Sequence, residues 1–434
     1  MPYNYPPSLD SSSKIVSRVM LASWKIGAQL STSHSSRVAI DPARMLEIVQ
    51  RAQEAVGLDL LIVGFREAPE VFRKFCDQGR PVDEVYLWYS ALSDIEKMED
   101  SDLVVNWRGE PSRGWGGWTK SGGEVEETFR FVCPNNPDVR QKTRRRLREL
   151  LLRYEFIGVF LDKIRFTSPA NGADEMLSCF CDHCRRAAKA VDLDLDLVVA
   201  TLAGHGVDPG AWLTVVSGPK PSAWLEALVN GSGVLSRFLR FRVESVTRLV
   251  AELAEEARRL GRKVSLDLFS PCIAPLVGQS YQRLKRHCDW AKPMTYRLAL
   301  GPAGLRLEIP ALIQGVAQCL ELSEARVVNW TARHVGFDAE MLRQTKASAV
   351  PLPLFQAEID VAVRAMAPVP VYFGLELVNQ PGVIDVKPAH VRDMVRVGRA
   401  ANAAGLVISW DLMHAPRDGL EALAEAVTSG IDER

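Results

Sequence analysis

The sequence predicts a (β/α)8 TIM barrel with long loop insertions after its third and fourth strands. Three observations carry that reading. Short apolar runs alternate with amphipathic stretches along most of the chain, the pattern of βαβ units and hence of a parallel sheet. Several runs are apolar throughout, as strands buried on both faces are. Four of the runs end in an acid, and the first is followed by no Gly-rich phosphate turn, so a doubly wound open sheet is disfavoured.

Each element follows in order. Residues 1–17, Pro- and Ser-rich, read as a mobile tail, and 18–434 as a single barrel. The apolar run 18–24 is the candidate first strand. Residues 36–56 have helical periodicity, with Asp41-Pro42 as cap and first turn. Strand two is 60–65, a short helix follows at 69–76, and strand three is 85–90. The first insertion, about 91–137, contains a Gly- and Trp-rich stretch too long for an ordinary connection. An Arg- and Leu-dense helix at 138–154 returns the chain to strand four, 157–166. The second insertion, 167–233, carries a cysteine cluster and short helical pieces. A long amphipathic helix spans 235–260. Strand five is 263–269, a helix covers 279–288, and strand six is 290–296. Helices at 308–320 and 340–366 flank a loop holding Trp330 and His334. Strand seven is 369–378, followed by a helix at 390–404, strand eight at 405–411 and a closing helix at 418–427.

Composition narrows the function classes. Lys+Arg and Asp+Glu are equal at 53 each over 434 residues, so the chain has no basic footprint for nucleic acid or an anionic membrane. No apolar stretch is long enough to span a bilayer, and the N-terminus lacks the pattern of a secretion signal. Eight cysteines without an export signal read as reduced thiols or metal ligands. A cytoplasmic setting is expected, with no nucleic-acid or membrane partner and no organic cofactor. A homo-oligomer is compatible with the sequence.

In a barrel the acids ending strands four, five, seven and eight, Asp162, Asp267, Glu376 and Asp411, converge on one mouth. Paired carboxylates across a pocket are what cleavage of a glycosidic bond requires. The alternative is that they pair with Lys163, Arg165 or Arg297 and only order the mouth. Trp24, Trp88, Tyr296 and Trp410 stand at or beside strand ends, and Trp107, Trp115, Trp118 and Trp330 fall in loops. Such rings could stack on the apolar faces of sugars. Asn106, Arg108, Arg165 and His334 could hydrogen-bond hydroxyls. No P-loop, H-E-x-x-H or G-x-S-x-G motif occurs.

Cys179, Cys181 and Cys184 form a C-x-C-x-x-C loop, and Cys133 follows an earlier loop. Four such thiolates suit a closed structural zinc site, with His183 able to replace one of them, and four unligated thiols as the alternative. Cys76, Cys272, Cys288 and Cys319 stand alone as ordinary thiols.

The segment Cys133-Pro-Asn-Asn-Pro-Asp-Val-Arg140, the helix after it, Gly158-Val-Phe-Leu-Asp-Lys-Ile-Arg-Phe166 and the C-x-C-x-x-C loop together resemble the (β/α)8 glycoside hydrolases. They are similar in particular to the family 42 β-galactosidases and to uncharacterised glycosidase-like barrels whose fourth strand ends in Asp. The close resemblance covers about 130–186. It implies a structural zinc on Cys133, Cys179, Cys181 and Cys184, and Glu376 in the place of the family's nucleophile. The family's strand-four Asn-Glu pair is replaced here by Asp162-Lys163, so β-galactosidase activity is not carried over. A second template is the α-amylase and α-galactosidase type of barrel, in which a strand-four Asp attacks. Asp162 would then be the nucleophile, and Asp267 or Glu376 the acid.

The expectation is therefore a glycoside hydrolase, retaining rather than inverting, acting on a carbohydrate. Asp162 and Glu376 are its first catalytic pair and Asp267 the third candidate. Trp88, Asn106, Arg165, Tyr296, Trp330, Trp410 and Asp411 are the candidate substrate contacts. The alternatives are an inactive sugar-binding barrel, and a sugar-acid lyase or isomerase using Lys163 or Arg165.

Overall fold

Strands β1 (Lys25–Ser31), β2 (Leu60–Gly64), β3 (Glu84–Ser90), β4 (Gly158–Asp162), β5 (Lys263–Phe269), β6 (Trp290–Met294), β7 (Tyr372–Glu376) and β8 (Gly405–Ser409) form one parallel sheet. Their order is β6-β5-β4-β3-β2-β1-β8-β7. A parallel bridge between Ala291 and Val371 joins β6 to β7, so the sheet closes on itself as a (β/α)8 barrel. The computed structural model describes residues 24–32, 41–77, 81–93, 99–119, 125–203, 233–319, 323–335 and 348–432. The N-terminal tail and part of the second insertion lie outside them.

The helices start where the sequence puts caps. Helix α1 (Pro42–Val56) begins at Asp41, whose side chain accepts the Ala43 N–H, and Pro42 occupies the first turn without losing a bond. It ends at Gly57, with φ 67°, a left-handed conformation that glycine adopts without strain. After α2 (Pro69–Cys76), α3 (Pro137–Arg153) starts on Asn136, which accepts the Asp138 N–H. The arginines of α3 face α6 (Val234–Arg259), where Arg140 meets Glu252 and Arg148 meets Glu256 at 3.1 Å. Between them lie α4 (Asp182–Lys189) and α5 (Leu195–Leu202). The later helices are α7 (Tyr281–Leu284), α8 (Leu305–Cys319), α9 (Glu324–Val335), α10 (Leu352–Met366), α11 (Pro388–Ala400) and α12 (Arg417–Asp432). Among the described residues no helix is long and apolar enough to cross a membrane.

Two cores result. The larger lies between strands and helices. The smaller fills the barrel with Leu60, Ile62, Tyr86, Trp88, Phe160, Trp290 and Val407, so the interior is packed rather than open.

Four sequence expectations are corrected. The run 18–24 lies outside the described residues except for Trp24, and the first strand is Lys25–Ser31. That strand is not uniformly apolar, because small and polar residues serve the crowded interior. A Cβ on Gly27 would meet Leu60 Cδ1 at 2.5 Å. The fourth strand stops at Asp162 rather than 166, because Lys163 takes a left-handed φ of 51° and turns the chain out of the ladder. Trp330 and His334 lie in helix α9, not in a loop. The first insertion contains an antiparallel hairpin, Trp115–Thr119 with Val125–Thr128, which its glycines had concealed.

Candidate active site

Strand register brings the mouth's charges together. Leu161 pairs with Leu266, and Asp267 with Lys292. Asp162 and Asp267, the next residues along neighbouring parallel strands, therefore share the inner face, and Lys292 stands beside them. The Asp162 carboxyl accepts the Trp88 indole N–H at 2.9 Å and its own neighbour's Lys163 N–H. The Lys292 amine is wholly buried and reaches Asp267 at 3.1 Å. It also donates to Gln29 Oε1 at 2.8 Å and Tyr296 Oη at 2.9 Å. Among the described residues, Asp267 Oδ1 and Gln29 Nε2 are buried without a protein partner.

Electrostatics separate these groups. Burial pushes the Asp267 carboxyl up to about 8; Lys292 pulls it down, and the Asp162 charge pushes it further up. For Lys292, burial pulls downward, but Asp267 and Tyr296 outweigh it and hold the amine above its ordinary value. Burial thus favours the protonated form of Asp267, while its neighbours favour the charged form of Lys292.

The other acids are engaged differently. Glu376, fully buried, accepts the backbone N–H groups of Arg297 at 2.7 Å, Leu298 at 2.9 Å and Ala299 at 2.8 Å. It pegs the loop after β6, and burial raises it to about 7 against those donors. Asp411 accepts the Ser31 and Met413 N–H groups at 3.3 and 3.2 Å. It caps the turn Leu412–His414 and is raised by burial to about 6.

The candidate substrate contacts divide in the same way. Tyr296 and Trp410 meet edge to face, 5.9 Å between ring centres, with Tyr296 buried and Trp410 half-buried beside the cluster. Trp88 is nearly buried and spends its N–H on Asp162. Arg165 is sandwiched between the Phe131 and Phe269 rings at 4.2 and 4.4 Å and donates to the Phe166 carbonyl. The Lys163 amine lies over Phe129 at 3.9 Å. Asn106 shapes its own turn, accepting the Arg108 and Glu110 N–H groups. The side chains of Trp330 and His334 lie outside the described residues. Trp24 precedes β1, so it sits at the opposite end of the barrel, where its N–H meets the Ala403 carbonyl at 2.7 Å. Sequence reasoning missed Lys292 and Gln29. A lysine inside the apolar run Trp290-Ala-Lys-Pro-Met294 was a readable signal, whereas Gln29 was hidden by the misplaced first strand.

Beside the mouth, the sulfurs of Cys133, Cys179, Cys181 and Cys184 all lie within 4.8 Å of one another. Cys133 is 3.4 Å from Cys184 and 3.5 Å from Cys181. Four sulfurs around a zinc at about 2.3 Å would stand about 3.8 Å apart, so little rearrangement is needed. N–H groups already point at sulfur: Val105 to Cys179 at 3.3 Å, Asn135 N to Cys133 at 3.4 Å and Asn135 Nδ2 to Cys184 at 3.3 Å. The donor set fits a metal ion. His183 is not part of it and faces Arg186 instead. Cys76, Cys272 and Cys288 are buried apart from the tetrad and in no disulfide among the described residues, and the Cys319 side chain is outside the described residues.

No protein-family model and no curated protein matches the sequence. Solved structures do match in shape. The glycoside hydrolase domain of PgaB (BpsB) from Bordetella bronchiseptica aligns over 93% of this chain and 98% of its own, with TM-score 0.51 and 12% identity. The α-L-fucosidase isoenzyme 2 of Paenibacillus thiaminolyticus aligns over 95% of this chain and 50% of its own, with TM-score 0.50 and 12% identity. The chain shares its fold with glycoside hydrolases. A family 42 β-galactosidase from G. stearothermophilus also matches, over 94% of this chain and 56% of its own, at TM-score 0.47 and 12% identity.

Proposed function

We propose that the chain is a glycoside hydrolase whose reacting carboxyls are Asp162 and Asp267. The observation that carries this reading is the pair itself. The two acids stand on neighbouring strands at the barrel mouth; one accepts two N–H donors, and the other is raised to about 8 with a buried oxygen left unpartnered. An acid/base division of labour needs one carboxyl raised by its surroundings, and burial raises Asp267. Asp267 would protonate the leaving glycosidic oxygen, and Asp162 would attack or stabilise the sugar carbon. The solved glycoside hydrolases of the same fold support the substrate class. Glu376 takes a supporting role in this reading, since its carboxyl is already committed to three backbone donors. The cysteine tetrad would hold a structural zinc that pins the two long loops together and takes no part in the chemistry.

The test is hydrolysis of a panel of aryl glycosides by the purified protein. Asp162→Asn and Asp267→Asn should each lower kcat about 10²–10⁴-fold, Asp162→Asn with the melting temperature nearly unchanged and Asp267→Asn with a fall in it, because Lys292 loses its buried counter-charge. Full activity in either variant removes that residue from the pair. A second reading, a barrel that binds sugar without cleaving it, draws on the depth at which Asp267 and Lys292 are buried. It predicts a sugar-dependent rise in melting temperature and no product. The lyase or isomerase reading has less support, because Lys163 and Arg165 are both held against aromatic rings.

A further inference from the structure

Arg242 sits in the middle of α6 with none of its side chain exposed. A guanidinium is not discharged in a protein, and a buried charge without a counter-charge is costly. Among the described residues its polar contacts are two carbonyls, Leu276 O and Met176 O at 2.5 and 3.1 Å, and its Nε has no partner. The Phe166 and Phe238 rings pack on it at 4.8 and 5.8 Å. Among the described residues no carboxylate pairs with it. Burial pulls the guanidinium downward, and Cys179 and Cys184, where deprotonated, pull it back up.

The surrounding geometry places Arg242 at the wall of the cysteine tetrad. Ser245, one turn further along α6, accepts from Asn135 Nδ2 at 2.9 Å, and the same amide touches Cys184 Sγ at 3.3 Å. Phe238, one turn back, stacks on Phe180 at 5.0 Å, and Phe180 lies between Cys179 and Cys181. Met176, whose carbonyl Arg242 holds, is three residues before Cys179. A divalent ion on four thiolates leaves a net negative charge. Burying that charge needs compensation, and the N–H groups already aimed at sulfur supply only partial charges.

We propose that Arg242 is the counter-charge of a loaded four-thiolate metal site, a positioning residue that raises the affinity of Cys133, Cys179, Cys181 and Cys184 for a divalent cation. Through its bonds to Met176 O and Leu276 O it also ties that site to the loops following β4 and β5, the strands that carry Asp162 and Asp267. The inference rests on the metal reading of the tetrad and is independent of the hydrolase reading, because its readout is metal affinity.

Two variants separate charge from hydrogen bonding. Arg242→Gln keeps N–H donors for the carbonyls and removes the charge; Arg242→Lys keeps the charge. Zinc affinity is measured on the full chain, under reducing conditions, by competition with a chromophoric chelator. The melting temperature is recorded with zinc and after stripping. Arg242→Gln should bind zinc about 10–100-fold more weakly and lose much of the zinc-dependent rise in melting temperature. Arg242→Lys should stay within a few-fold of the wild type. A purely structural role would lower the zinc-bound and stripped melting temperatures equally and leave affinity unchanged, which would overturn the proposal. Equal weakening in both variants would also overturn it. If Arg242→Gln fails to fold, a weakening in Arg242→Lys as large as 100-fold would refute the charge argument alone. Wild-type protein that takes up no zinc would overturn both this inference and the metal reading beneath it.

Discussion

Two carboxyls at the ends of barrel strands, Asp267 and Glu376, carry different work although both are buried. Asp267 keeps one oxygen on Lys292 and the other without a protein partner. Glu376 directs both of its oxygens to backbone N–H groups. That difference yields a prediction. Glu376→Gln keeps the volume but sets an amide N–H₂ against N–H donors, leaving buried groups unsatisfied at a cost of about 1–3 kcal/mol. Denaturant unfolding should show that loss. The folded variant should keep far more of its kcat than Asp162→Asn does. If Glu376→Gln abolishes kcat with stability unchanged, Glu376 belongs to the reacting pair after all.

At the scale of elements, the long loops are the parts that need fastening. The tetrad draws Cys133, just before α3, onto the Cys179–Cys184 loop, which runs into α4. Buried glutamates fasten other loops. Glu308 accepts Ser168 Oγ and the Ala170 and Ala303 N–H groups, and Glu358 accepts Ser270 Oγ and the Cys272 N–H. A strong chelator under reducing conditions should therefore lower the melting temperature by several degrees and raise protease sensitivity within 100–190, leaving the barrel helices protected. Elemental analysis should find about one zinc per chain before treatment. A metal-free protein with an unaltered melting temperature would mean the thiols pack without an ion.

Across the whole molecule, the perturbed acids lean one way. Burial raises Asp267 to about 8, Glu376 to about 7 and Asp411 to about 6, and also raises Glu175, Glu308 and Glu358. A group whose folded value lies above its unfolded one binds protons more tightly when folded. Its contribution to stability is full below the unfolded value and is lost as pH rises through the folded one. Stability should thus decline as pH rises from about 4.5 to about 8. Melting temperatures at constant ionic strength across that range check the sign. A steady climb towards pH 8 would show that these carboxyls are stabilised as anions by their N–H donors.

The strand–helix rhythm, the acids at the strand ends and the four cysteines were legible in the sequence, because period, capping and spacing are local properties of a chain. It placed α2 at 69–76 and β5 at 263–269, and it put Asp162 at a strand end. It misjudged β1, whose inward residues, Gly27 and Gln29, reflect crowding by Leu60 and the reach of Lys292. The partners of each strand-end acid come from residues distant in the chain. Asp162 and Asp267 meet through register between strands about 100 residues apart in the chain. Glu376 is claimed by backbone donors from another loop. Arg242, unremarkable in an amphipathic helix, ends up wholly buried, holding the carbonyls of Met176 and Leu276. Burial and partnership set the chemistry of a charge, and neither is written in its immediate neighbours.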